Sequence, residues 1–138
     1  MKEVLLYIWQ LPQHLLALLV WGALRAAGKI ANVSISRGRA DITTDTPGWG
    51  VSLGRYVFMD KRYGPEDWKH EFGHSAQSER LGPLYLLVVG LPSALANNLW
   101  DRVFHKKWPP EKRQEWYYGR WPEKQADRLG GAERDWEG

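Results

Sequence analysis

One short stretch constrains this chain more than any other: Trp68 to Gln77, reading WKHEFGHSAQ. It contains HEFGH, an instance of HExxH, and its helix is well bounded. Gly64-Pro65 marks a start, with Pro65 in the first turn and Glu66 and Asp67 near the positive end of the dipole. Gly82-Pro83 marks a stop, so the helix is predicted from about Pro65 to Leu81. Residues four apart share a helix face, so His70 and His74 can point at one ion, with Glu71 beside them. Two imidazoles and a nearby carboxylate suit Zn²⁺, the carboxylate activating a bound water. Gln77 and Ser78 fall on the same side. They either lean toward the site, holding a ligand in place, or form ordinary polar helix surface. The flanks EDWK and QSER are charged, which makes the helix soluble or interfacial and not a bilayer span.

The 138 residues suit one domain with a modest core. A hydrophobic share of 43% excludes a disordered chain. The net charge of +3 is too mild for a nucleic-acid binder. The absence of cysteine leaves no disulfide framework and no thiolate site, so a metal must be held by His and carboxylate. Nine Trp and six Tyr suit either core packing or anchoring at a membrane interface.

Residues 1–28 form an apolar segment, broken by Gln10, Pro12, Gln13 and His14. A crossing needs about 20 apolar residues. The run is long enough for a kinked membrane helix or hairpin, and equally for a buried or partner-facing helix. Its length and the placement of Trp9 and Trp21 favour membrane association. If it spans, Arg25, Lys29, Arg37 and Arg39 place the rest on the cytoplasmic face. From Lys29 to Asp60, short apolar runs punctuated by Gly38, Pro47-Gly48 and Gly54 predict a small, mainly antiparallel sheet of about three strands. The last, Gly50 to Asp60, either covers the HEFGH helix or offers an edge to an extended peptide. Pro83 to Phe104 is a second apolar run, kinked at Gly90 and Pro92 and expected as a core helix partly embedded in membrane. Asn97, Asn98 and Asp101 fall near its polar face, Asp101 being a possible ligand. Pro109-Pro110 opens a short helix ending near Gly119. A last helix, Pro122 to Leu129, carries Glu123 and Asp127 on one face. The catalytic core is expected over 29–131, with a frayed polar tail at 132–138.

HEFGH followed by Glu123-Lys-Gln-Ala-Asp127 resembles the thermolysin-like gluzincin metallopeptidases, which carry HExxH on one helix and ExxxD on a second. The resemblance rests on these two motifs and their order. It implies that His70, His74 and Glu123 are zinc ligands, that Glu71 is the general base, and that Asp127 holds a ligand histidine in its tautomer. The substrate it implies is a peptide or protein. An oxyanion formed in the reaction needs a further donor, which Tyr117 or Tyr118 can supply. The chain departs from the pattern in having Asp67, Trp68 and Lys69 before His70, where an apolar residue is usual, and in being far smaller.

The expectation is therefore an α+β, minimal zincin-like domain acting as a membrane-associated zinc endopeptidase. The rival readings are a site-2-type intramembrane protease with a downstream Asp as third ligand, and a non-catalytic membrane adaptor in which His105 completes a closed metal site. The sequence leaves the oligomeric state open.

Overall fold

The structure, a computed structural model, describes residues 1–36 and 38–134. Arg37 and the tail positions 135–138 lie outside the described residues. The fold is α+β. Helices α1 (Lys2–Trp9) and α2 (Leu11–Ala26) open it, bent by 80° at Gln10. The polar residues that break the apolar run prove to be its fastenings. Gln10, Gln13 and His14 are wholly buried. Gln13 Nε2 donates to Ser78 Oγ (2.7 Å) and to the Gly82 carbonyl (2.9 Å). Ser78 Oγ donates to Gln10 Oε1 (2.6 Å), and His14 Nε2 accepts from the Arg55 backbone N–H (3.1 Å). Buried polar groups are tolerated when bonded in this way, and these bonds fix α1 and α2 in place. Among the described residues no single helix is long and apolar enough to cross a membrane; α1 and α2 reach that length and composition only as a bent pair.

The sheet has four strands, not about three: β1 (Ile30–Ser36), β2 (Arg39–Thr44), β3 (Gly50–Leu53) and β4 (Tyr56–Asp60), in the order β1-β2-β4-β3. The run expected as one strand from Gly50 to Asp60 folds back on itself at Gly54, whose φ of 68° is left-handed. Both arms are apolar, so periodicity could not reveal the turn. β1 pairs antiparallel with β2, and β3 with β4, but the central pair β2/β4 is parallel. The sheet is therefore mixed, because the connection after β2 sets β3 outside β4 as an edge. Ala17 of α2 packs against Ala40, Ile42, Leu53 and Phe58 to make the core cluster.

Helix α3 (Pro65–Leu81) keeps the bounds expected from its caps, with Asp67 Oδ2 accepting the Gly64 N–H (3.0 Å). A 3₁₀ turn (Gly82–Leu84), two π-helical stretches (Leu86–Gly90 and Pro92–Leu99) and α4 (Trp100–Phe104) follow. The run stays helical through Leu91, where the two π-helical stretches join, but it is not a buried core helix. Tyr85, Val89 and Asn97 are buried, whereas Leu84, Leu87, Leu91 and Leu95 are exposed. A run that is apolar all round does not tell which edge faces inward.

Helices α5 (Pro110–Tyr118) and α6 (Glu123–Gly130) complete the fold. α6 crosses α3 at two glycines. A Cβ on Gly73 would lie 2.7 Å from Ala126 Cα, with that residue's carbonyl nearer still. A Cβ on Gly130 would collide with the Lys69 carbonyl. Only hydrogen at both positions permits this approach. The tail, expected to fray from Ala132, is instead packed as far as Arg134, whose guanidinium grips Asp127.

Candidate metal centre

Helix periodicity places His70 and His74 one turn apart on α3, both buried, with ring centroids 4.7 Å apart and planes at 88°. Each ring is fixed through Nδ1. His70 Nδ1 bonds Asp127 Oδ1 at 2.8 Å, and His74 Nδ1 bonds Gln77 Oε1 at 2.7 Å. Both partners accept, so both Nδ1 atoms carry hydrogen and both Nε2 atoms turn inward. Gln77 is held in turn, its amide donating to the Pro122 carbonyl (3.1 Å) and to Gln125 Oε1 (2.8 Å). Of its two expected roles, positioning a histidine is the one its contacts match.

Glu123 comes from the first turn of α6 and is wholly buried. Its Oε1 lies 3.2 Å from His74 Nε2 and 3.9 Å from His70 Nε2. Ligand atoms sharing a tetrahedral zinc at about 2.0–2.1 Å lie about 3.3 Å from one another. The nitrogen–oxygen donor set and its spacing therefore fit such an ion with small adjustment. Glu71, half-buried, completes a cluster with His70 and His74 whose ligand atoms fall within 4.8 Å of one another, a group able to hold a metal. Glu123 Oε1 approaches both Nε2 atoms from α6, whereas Glu71 on α3 also lines both cavities of the cleft.

Three side chains converge on the Glu123 carboxylate. Ser93 Oγ (2.6 Å) and the Tyr117 hydroxyl (3.0 Å) donate to Oε1, and Asn97 Nδ2 (2.8 Å) donates to Oε2. Burial pushes a carboxyl up, but here the bond from His74 and its charge, with Ser93 and His70, outweigh it and bring Glu123 down to about 2. Burial likewise lowers a histidine, yet the bond to Glu123 and the nearby Glu71 and Glu123 charges push His74 up to about 9. Burial raises the Glu71 carboxyl, more than the two histidines lower it. Asp127 sits below its ordinary range: burial raises it, and the bonds from His70 and Arg134 outweigh that.

The two tyrosines divide. Tyr117 presents its hydroxyl to Glu123 and accepts from Asn98 Nδ2 at 3.0 Å. Tyr118 lays its ring against His70, 4.9 Å away and near perpendicular, with the Arg134 guanidinium 3.6 Å over its centre. The rival ligands are engaged elsewhere. Asp101 pairs with Arg113 (2.8 Å) and bonds His105, whose ring stacks on Trp108 at 3.6 Å. Sequence reasoning passed over Ser93 and Arg134 and placed Asn97 only on a polar face. Asn97 had a signal, a polar side chain in an apolar run one helical turn from Ser93; Arg134 had none.

Two cavities flank Glu71, of about 400 Å³ and about 390 Å³. The first opens between Trp49, Asp67, Arg102 and Tyr118. The second is walled by Leu16, Leu53, Tyr85, Leu86 and Leu91. Gly50 and Val51 of edge strand β3 border both. No known family model, curated protein or solved structure matches the chain.

Proposed function

We propose that this chain is a zinc-dependent endopeptidase, its metal held by His70, His74 and Glu123, working at a membrane surface. The observation that carries the reading is the convergence of three inward-facing donor atoms from two helices, each fixed by its own buried partner. That is how catalytic His/carboxylate sites are built, and three protein ligands leave a position open. The chemistry the zinc supplies when bound is polarisation of a carbonyl and of the attacking water.

The chain's own groups do the rest. Glu71, its carboxyl made more basic by burial, takes a proton from the water whose oxygen bonds to the peptide carbonyl carbon. It returns that proton to the leaving nitrogen as the C–N bond breaks. Tyr117 stays protonated, since burial raises its hydroxyl well above the ordinary range. It is our choice over Tyr118 as donor to the oxyanion, because it lines both cavities and its single hydrogen would turn there from Glu123, which Ser93 and Asn97 still hold. The start of edge strand β3, at Gly50 and Val51, offers backbone groups to an extended peptide running past Glu71, the Ser52 carbonyl being taken by the Tyr85 hydroxyl (3.2 Å). Metal analysis of the purified chain tests the reading: about one zinc per chain is expected. His74→Ala should lose it, and Glu71→Gln should keep it while abolishing peptide cleavage. Full activity in Glu71→Gln would overturn the mechanism.

A further inference from the structure

Two exposed apolar faces from distant parts of the chain each send a leucine to the wall of the second cavity. On α2 they are Leu15, Leu18 and Leu19, the last 72% exposed. On the π-helical stretches they are Leu87, Leu91 and Leu95, with Leu87 at 67%. Leu16 and Leu91, one from each face, both wall the cavity that reaches Glu71 and His74. Large exposed apolar patches on a soluble chain mark interaction surfaces, and eleven leucines among the described residues are at least 39% exposed. Exposed basic residues stand at the ends of these elements: Lys2 opening α1, Arg25 in the last turn of α2 and Lys29 just after it, Arg102 in α4, and Lys106 and Lys107 just after α4. Trp9 and Trp100 are about half exposed, at 47% and 49%.

We infer that this surface seats in one leaflet of an anionic bilayer, and that the cleft takes a polypeptide segment lying at that bilayer's surface beside a membrane-embedded stretch. Apolar faces with a basic rim and interfacial tryptophans match the depth profile of such a leaflet, entered by about 5–10 Å. A second copy of the chain is the poorer occupant, because a two-fold pairing would bring the basic rims together. The fastenings argue against a straight span by α1 and α2. Straightening the 80° bend would pull Gln10, Gln13 and His14 from Ser78, Gly82 and Arg55 and leave them unpaired in hydrocarbon. The apolar cavity opening on this face then receives a hydrophobic side chain from the lipid side. The substrate half of the inference rests on the peptidase reading; the membrane half does not.

Flotation with vesicles of phosphatidylcholine mixed with phosphatidylglycerol tests the surface, using Glu71→Gln so that cleavage plays no part. The zinc-loaded protein should float with them and bind pure phosphatidylcholine more weakly. Leu19→Glu with Leu87→Glu should cut binding at least ~10-fold, at unchanged zinc content and melting temperature, since both positions are exposed. Protein left in the aqueous fraction with both vesicle types overturns the inference, as does a dimer that the double variant dissolves. Lys2→Cys and Ala27→Cys, made singly in a chain without cysteine, should both react with an impermeant maleimide from outside; only one reacting means a span and overturns it. For the substrate, a reporter segment tethered beside a transmembrane helix should be cut at least ~10-fold faster than the same segment free, through effective concentration alone. Equal rates overturn the substrate half. Lipid binding without cleavage of either reporter upholds the surface and defeats the peptidase reading.

Discussion

Replacing Gly73 by alanine adds one methyl group where α3 meets α6. That carbon would sit 2.7 Å from Ala126 Cα, with the carbonyl carbon and oxygen of the same residue closer. Carbon atoms settle at about 3.5–4.0 Å, so the helices must part by about 1 Å or more. No side chain can swing aside, because the obstruction is backbone. Alanine gains about 1 kcal/mol of helix propensity over glycine in α3. Overpacking costs about 1–3 kcal/mol, at the upper end where backbone must move. The net expectation is a loss of about 1–2 kcal/mol, which lowers Tm by about 3–5 °C per kcal/mol for a chain of this size. The larger effect falls on the metal. Glu123 and Asp127 ride on α6, opposite His70 and His74 on α3. Zinc sites tolerate about 0.2 Å, so a shift of about 1 Å takes Glu123 out of reach. Losing an outer partner alone costs about 10–100-fold in metal affinity, so zinc should bind at least ~100-fold more weakly. Chelator competition and a thermal melt read both effects. Parental zinc affinity with a Tm at or above the parent's would refute the helix crossing as the device that assembles the site.

Three further outcomes follow from the same geometry. Asp127→Asn removes the charge that orients His70 and pairs with Arg134; zinc affinity should fall about 10–100-fold in the same chelator titration. Ser78→Ala strips the hydroxyl shared by Gln10 and Gln13; leaving buried amides unsatisfied should cost about 1–3 kcal/mol in denaturant unfolding. Amides of α1 and α2 should then exchange faster, while zinc affinity stays. Asp60 is buried, which raises its carboxyl, but the Gly48 N–H (2.9 Å) and Arg62 (2.6 Å) outweigh this and hold it below its ordinary value. A depressed carboxyl contributes stability that is present above its unfolded pKa and lost as pH falls through the folded one. The melting temperature should therefore drop on acidification below about pH 4, and Asp60→Asn should flatten that slope.

The sequence by itself determined what local rules govern. Gly64-Pro65 and Gly82-Pro83 bound α3, because a proline is tolerated in a first turn and glycine and proline end a helix. Helix periodicity put His70 and His74 on one face, and the start of α6 at Glu123 came within a residue of its place. The turn at Gly54 and the parallel pairing of β2 with β4 were hidden, since apolar arms read alike whether they continue or reverse. Gln10, Gln13 and His14 looked like flaws in a membrane segment. Their partners lie more than forty positions away, on Ser78, Gly82 and Arg55, so only the folded chain shows them as bolts. Whether Glu123 meets His74 was likewise a tertiary matter. It depends on two helices approaching until backbone nearly touches backbone at Gly73 and Gly130, and no spacing along the chain encodes that distance.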